Sequence, residues 1–138
     1  MVIALDPNAT IRFIASCDRE LPEDEQTVWL IRPLKPSERA ALQDDYAQAS
    51  LTSKNGKQEQ HIAMRINSMM LAAVHLGLMG WENFQDGEGK DMRLIAKGEG
   101  VRRKISEGSL AMIPEDVITE ISDAVQTAAS LSRAEAGN

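Results

Sequence analysis

Apolar positions in this chain fall into short β-branched runs near its start and into helical periods after it. Ile11 to Cys17 and Thr27 to Arg32 are rich in Ile, Val and aromatic residues, and the acidic, Pro-containing stretch Asp18 to Gln26 lies between them. That arrangement predicts two strands of an N-terminal β-hairpin. Pro33 closes the second strand because it has no N–H to give to a ladder. Pro36-Ser37-Glu38 then predicts a helix start with Ser37 as the N-cap, and the helix runs from Glu38 to Ala49. Ser50 to Gln60, with Ser53, Lys54, Asn55, Gly56 and Lys57, carries turn chemistry and reads as a polar loop. From Gln58 the helical period resumes. Ile62, Ile66, Met69, Met70, Ala73, Val74 and Leu76 share one broad face, with Arg65, Asn67 and Ser68 mostly opposite, and Gly77 and Gly80 bracket the end.

Beyond that helix, Trp81 to Phe84 and Met92 to Ile95 flank a Gly-rich turn, Asp86 to Lys90, and predict a second small hairpin. A basic connector with Arg102, Arg103 and Lys104 follows. Pro114-Glu115-Asp116 opens the last helix, with Pro at the first helical position and two acids near the positive end of the dipole. Val117, Ile121, Ala124, Val125, Ala128 and Leu131 form its apolar stripe. Ser132 to Asn138 has lost that stripe and reads as a flexible tail. The fold class expected is α+β and mainly helical, in one domain over residues 1–138. Its parts are a hairpin at 1–34, two helices joined by a polar loop at 36–80, a small hairpin and basic connector at 81–113, and a last helix and tail at 114–138.

Composition narrows the picture. A chain of 138 residues suits one domain, and with only 4% aromatic residues its core must be mostly Leu, Ile, Val, Met and Ala. A formal charge of −6 disfavours nucleic acid, whose phosphates need an excess of Lys and Arg. Against that background Lys90 to Lys104 stands out, with six bases (Lys90, Arg93, Lys97, Arg102, Arg103, Lys104) against two acids (Asp91, Glu99), a local balance of +4. It reads as a solvated connector or as a docking site for an acidic partner. The acidic runs Glu20 to Glu25 and Gln43 to Asp45 have the complementary sign, so a homo-oligomer is open. Met1 to Asp6 lacks the basic start of a secretory signal, and Met69 to Gly80 is too short to span a bilayer. A cytosolic environment and no membrane partner are the expectation.

Candidate chemistry is sparse. A calcium loop starting at Asp86 would put Lys90 at position five and Lys97 at position twelve, where oxygen ligands are needed. Gly87, Gly89, Gly98 and Gly100 fit no phosphate-binding spacing. His61 and His75 lie fourteen residues apart, and neither has a Cys or His four residues away. Cys17, in a predicted strand beside Ile14 and Ala15, reads as a buried small hydrophobe. The reading therefore assigns no catalytic, cofactor-binding or metal-binding residue, no cofactor, and no enzymatic activity. Met64, Met69, Met70 and Met79 crowd one helix and its end, as a Met-filled core does or as an adaptable surface does. Met69, Met70, Met79 and Trp81 are the candidates for an apolar partner contact, and Arg102 and Arg103 for an electrostatic one.

The segment Leu78 to Lys90 contains Gly80-Trp81-Glu82-Asn83 followed by Asp86-Gly87-Glu88-Gly89. It resembles the Gly-Trp-Glu-Asn, then Asp-x-x-Gly, pattern of tail-assembly chaperones of long-tailed bacteriophages, over thirteen of 138 residues. In that family a β-containing N-terminal part with an Arg-Pro-Leu-like strand end precedes helices, and the motif precedes a last helix and a short tail ending in Asn. Thr27 to Leu34, Pro114 to Leu131 and Asn138 fit that order. The chain departs from the pattern after Lys90, where Asp91 to Ile95 leads into the basic stretch. The resemblance implies a non-catalytic protein that coats the tape-measure protein and delivers tail-tube subunits to it. The competing expectation is a structural virion component, such as a neck, tail-completion or minor capsid protein, retained in the particle beside its neighbouring subunits.

Overall fold

The computed structural model describes residues 1–2, 9–52 and 58–136, with side chains described outside 45–67 and 129–136. The α+β class holds. Strand β1 (Ile11–Phe13) pairs antiparallel with β2 (Val28–Ile31), as the two β-branched runs predict, with Ile11 opposite Ile31 and Phe13 opposite Trp29. The N-terminal unit is larger than a hairpin, however. A third strand, β3 (Leu78–Glu82), pairs antiparallel with the other edge of β2, so the sheet order is β1-β2-β3. Trp81 therefore belongs to this sheet and not to a second hairpin.

The register of β2 and β3 contains a bulge. Trp29 faces Trp81 and Leu30 faces Gly80, but Ile31 faces Leu78, leaving Met79 as an extra residue. In a regular strand Leu78 and Trp81, three residues apart, would point to opposite faces. The extra residue puts Leu78 on the core face with Trp81 and Trp29, and turns Met79 outward.

Helix α1 (Pro36–Thr52) starts differently from expectation. Lys35 is the N-cap, because its carbonyl accepts the Arg39 N–H, and Pro36 takes the first helical position. Glu38, three residues on, accepts the Lys35 N–H at 2.8 Å, the carboxylate half of a capping box, so Ser37 is not the cap. Helix α2 (Gln58–Gly77) follows, and the centre of the expected polar loop, 53–57, lies outside the described residues. The last residue of α2, Gly77, is a glycine for a steric reason. A β-carbon there would stand 2.3 Å from Val125 Cγ1 and 2.6 Å from its Cγ2, closer than atoms approach.

The basic connector is structured. Strands β4 (Ala96–Lys97) and β5 (Lys104–Ile105) form a two-stranded ribbon, and a short helix α3 (Glu107–Ala111) follows, capped by Ser106. The Gly-rich turn before it persists as a loop closed by a bridge between Gln85 and Asp91. Helix α4 (Glu115–Ala136) begins one residue later than expected, with the Pro114 carbonyl accepting the Ile118 N–H. It runs through the stretch read as a flexible tail as far as Ala136, and residues 137–138 lie outside the described ones.

Helix α4 packs against α2 and across β1 and β2, and α1 packs on α2. Their predicted stripes meet the sheet's inner face. Ala73, Val74 and Leu76 of α2, and Val117, Ile121, Val125 and Ala128 of α4, close over Trp29, Ile31 and Leu78. Side chains of Ile62, Ile66 and Leu131, expected in the same stripes, lie outside the described set. Cys17 corrects the sequence reading. It sits in a 3-10 turn, Ser16–Asp18, and is exposed. Partial desolvation first, and Asp18 beside it second, push its thiol pKa up, the reverse of an activated nucleophile.

Candidate interaction site

The resemblance motif is a structural joint. Trp81 meets Trp29 edge-on with centroids 5.8 Å apart, and Phe84 closes on both rings at 5.0 Å. The Trp81 indole N–H donates to the Met92 carbonyl at 2.9 Å. Asn83 adopts φ 59°, a conformation that Asn tolerates better than most residues, and its Nδ2 donates to the carbonyls of Asp24 and Gln26 at 3.2 Å each. Asp86 accepts the Glu88 and Lys90 backbone N–H groups at 2.8 and 3.0 Å, and Gly89 supplies the φ of 80° that this turn requires. Trp81 is thus half-buried in the sheet packing, with its indole N–H already engaged.

Met69 and Met70 are neighbours on α2 that open onto two different clefts. Met69 lines one of about 240 Å³ with Leu34, Arg39, Leu42, Gln43 and Gln126, where α1, α2 and α4 meet. Met70 lines one of about 470 Å³ between α2 and the start of α4, with Leu71, Ile118, Glu115 and Thr119. Leu71 is 40% exposed there. Met79 stands apart on β3, turned out by the bulge. Sequence periodicity did not single out Leu71 or Ile118. Each is an apolar residue off its helix's main stripe, and that displacement was the available signal.

Arg102 and Arg103 are adjacent in sequence but differ in environment. Arg102 is exposed at the end of the 3-10 turn Gly100–Arg102. Arg103 turns inward and donates through Nη1 to the His75 carbonyl at 2.5 Å. His75 Nδ1 accepts the Ile105 N–H at 2.9 Å, so the last turn of α2 holds the ribbon by two bonds. Beneath them Arg32 and Glu38 form a two-pronged ion pair at 2.9 and 2.8 Å, both buried, which sequence reasoning did not find. Burial alone would raise the Glu38 pKa. The bonds from Arg32 and the Lys35 amide outweigh it and hold the carboxyl below its ordinary value. Burial, then the charges of Lys104 and Arg103, lowers the His75 pKa. Burial, then Arg32, lowers that of Arg103, with Glu38 opposing. The local field is positive.

Among the described residues no group of three or more His, Cys, Asp or Glu converges as a metal site, and no helix is long and apolar enough to cross a membrane. Comparison of the chain with protein-family models, with curated proteins and with solved structures finds no match.

Proposed function

We propose that this chain is a non-catalytic morphogenesis protein of long-tailed phages, acting in the host cytoplasm as a tail-assembly chaperone that binds the tape-measure protein and recruits tail-tube subunits. The observation that carries the reading is the cleft between α2 and α4. A groove that receives one face of a partner helix needs an apolar floor and a polar rim. Met70, Leu71 and Ile118 supply the apolar part of its lining, and Glu115 and Thr119 the polar part. Met70 also adapts readily to varied apolar partners, because its side chain is unbranched and flexible. The resemblance of Leu78 to Lys90 to the family motif supports the same reading. Trp81, Asn83, Asp86 and Gly89 hold the joint, a structural part for the motif to play.

The test is co-purification of the tagged full chain with the tape-measure protein encoded alongside it, together with mass spectrometry of mature virions beside the infected-cell lysate. The chain is expected on the tape-measure protein in the lysate and missing from virions. Leu71→Glu should abolish the co-purification while the melting temperature stays within a few degrees, since Leu71 is already partly exposed. Stoichiometric presence in virions would overturn the chaperone in favour of a structural component, and binding untouched by Leu71→Glu would take the contact away from this cleft.

A further inference from the structure

Two surface features of opposite sign lie at opposite ends of the sheet. The first is the acidic knuckle of residues 19–25, four acids (Glu20, Glu23, Asp24, Glu25) against one base (Arg19), a balance of −3. Its residues are exposed, and Leu21 in its midst is 41% exposed. The second is the ribbon of residues 97–104, where the exposed bases Lys97, Arg102 and Lys104 stand against one acid, Glu99, and Arg103 adds its charge from the inner side. Val101 at its tip is 58% exposed, and Ile95 just before it 53%.

Both features are fixed frames. The knuckle is a 3-10 turn, Glu23–Glu25, tied by the two Asn83 bonds and by Gln26 Nε2 donating to the Leu21 carbonyl at 3.0 Å. The ribbon is tied to α2 through His75 and to α3 through the Ile95 N–H, which donates to Ser109 Oγ at 3.1 Å. Its turn needs Gly98, at φ 84°, where a β-carbon would meet the Arg102 carbonyl oxygen at 2.5 Å. Charges held on ordered backbone lose less entropy on docking than charges on a mobile connector.

The ribbon is also electrostatically unfinished. Lys97 and Lys104 stand directly opposite each other in register, both exposed, and like charges so placed destabilise a strand pair. The ion pairs among the described residues are Arg12 with Glu82 and Arg32 with Glu38, so neither lysine has a carboxylate partner there. Within one copy, no ion pair among the described residues joins the knuckle to the ribbon. The knuckle joins β2 through Thr27, beside Asn83, whereas the ribbon hangs from the other end of the sheet, where the Arg32 N–H meets the Gly77 carbonyl.

We propose that the acidic knuckle of one copy docks onto the basic ribbon of a second copy, with Leu21 packing against Val101 and Ile95. The knuckle and the ribbon are different surfaces, so two copies either exchange both contacts about a two-fold axis or repeat one contact head to tail into a ring or a chain. The patches are small and the charges solvated, which makes the contact weak and salt-sensitive. It stands or falls independently of the phage reading, because it needs only this chain.

The test is sedimentation velocity of the full chain over a concentration series, at about 0.05 M and about 0.5 M salt. Association that rises with concentration and is largely lost at the higher salt is expected. The paired variants Lys97→Glu/Lys104→Glu and Glu23→Lys/Glu25→Lys should each be monomeric alone. Mixed together they should associate again, since an acidic ribbon then meets a basic knuckle and the reverse. Circular dichroism checks that both are folded, and the mixture answers for loss by misfolding. A wild-type chain that stays monomeric at low salt overturns the proposal. So does association that persists in either variant alone, or a mixture that stays monomeric.

Discussion

Glu38 is a buried carboxylate whose removal strands a buried cation. It is 1% exposed and holds three hydrogen bonds, two from Arg32 and one from the Lys35 amide. In Glu38→Ala, Arg32, itself 7% exposed, would keep only the Pro33 carbonyl at 3.2 Å, with the Arg103 guanidinium adding charge of the same sign. Removing one partner of a buried pair costs about 3–5 kcal/mol, chiefly because the other charge remains buried and unpaired. A domain of this size is stable by only about 5–15 kcal/mol, so the loss is a large fraction of the total. With a urea slope of about 2 kcal/mol per molar, the unfolding midpoint should fall by roughly 1.5–2.5 M.

Replacing both partners, Arg32→Met with Glu38→Leu, should lie within about 1–2 kcal/mol of the wild type, because no charge is then stranded. Acidity supplies a second readout. The folded state holds the Glu38 pKa below its ordinary 4.5, so the stabilisation is present above that value and is lost as pH falls through the folded value. The stability gap between wild type and Glu38→Ala should therefore narrow on acidification below about 4.5. A midpoint shift under about 0.5 M for the single variant, or a double variant as unstable as the single, would refute the reasoning.

Gly77→Ala drives a methyl group into Val125 and should cost about 1–3 kcal/mol in thermal or urea unfolding; adding Val125→Ala should recover part of it, and a single variant as stable as wild type would contradict the contact. His75 has its proton affinity lowered by burial, then by Lys104 and Arg103, so stability is lost as pH falls from the unfolded value of 6.5 toward the folded one. An imidazole titration followed by NMR should give a value below 6.5, and one above it would sink the assignment. Met79→Ser should change stability by less than about 0.5 kcal/mol, because the bulge turns that side chain outward; a core-sized loss would mean that the bulge is misplaced.

The sequence made some elements legible and hid others for identifiable reasons. Strands β1 and β2 announced themselves by β-branched and aromatic residues, and α2 and α4 by apolar stripes that do enter the core. Strand β3 was hidden by its own bulge. With Met79 inserted, Leu78 and Trp81 fall three apart, so no alternation survives, and Leu78 and Met79 pass for the end of an apolar helix. That Trp81 would face Trp29 across the sheet shows only once β3 is paired to β2. Helix α3, five residues long, is too short to show a period. Among the proposed contact residues, helical spacing put Met69 and Met70 on one broad face but could not show that α4 would divide that face into two clefts. Arg102 and Arg103 look equivalent as letters, and only the turn before β5 sends one outward and the other under α2.

Asn83 links the motif to the acidic knuckle. Its φ of 59° would cost an alanine about 1–2 kcal/mol, whereas glycine adopts that conformation freely. Its side chain also makes the two bonds to Asp24 and Gln26, each contributing about 0.5–1.5 kcal/mol net. Asn83→Gly should therefore lose only the bonds, about 1–3 kcal/mol, and Asn83→Ala should lose about 1–2 kcal/mol more. Equal melting temperatures for the two variants would show that backbone conformation is not what the Asn supplies. The glycine variant isolates the clamp, since its backbone fits and only the knuckle's tether is gone. If the knuckle must be ordered to dock, amide exchange over residues 20–26 should quicken and knuckle-to-ribbon association should weaken in Asn83→Gly, with every charge still present. Faster exchange with undiminished association would separate the two, making the motif a fold element and the docking a matter of charge alone.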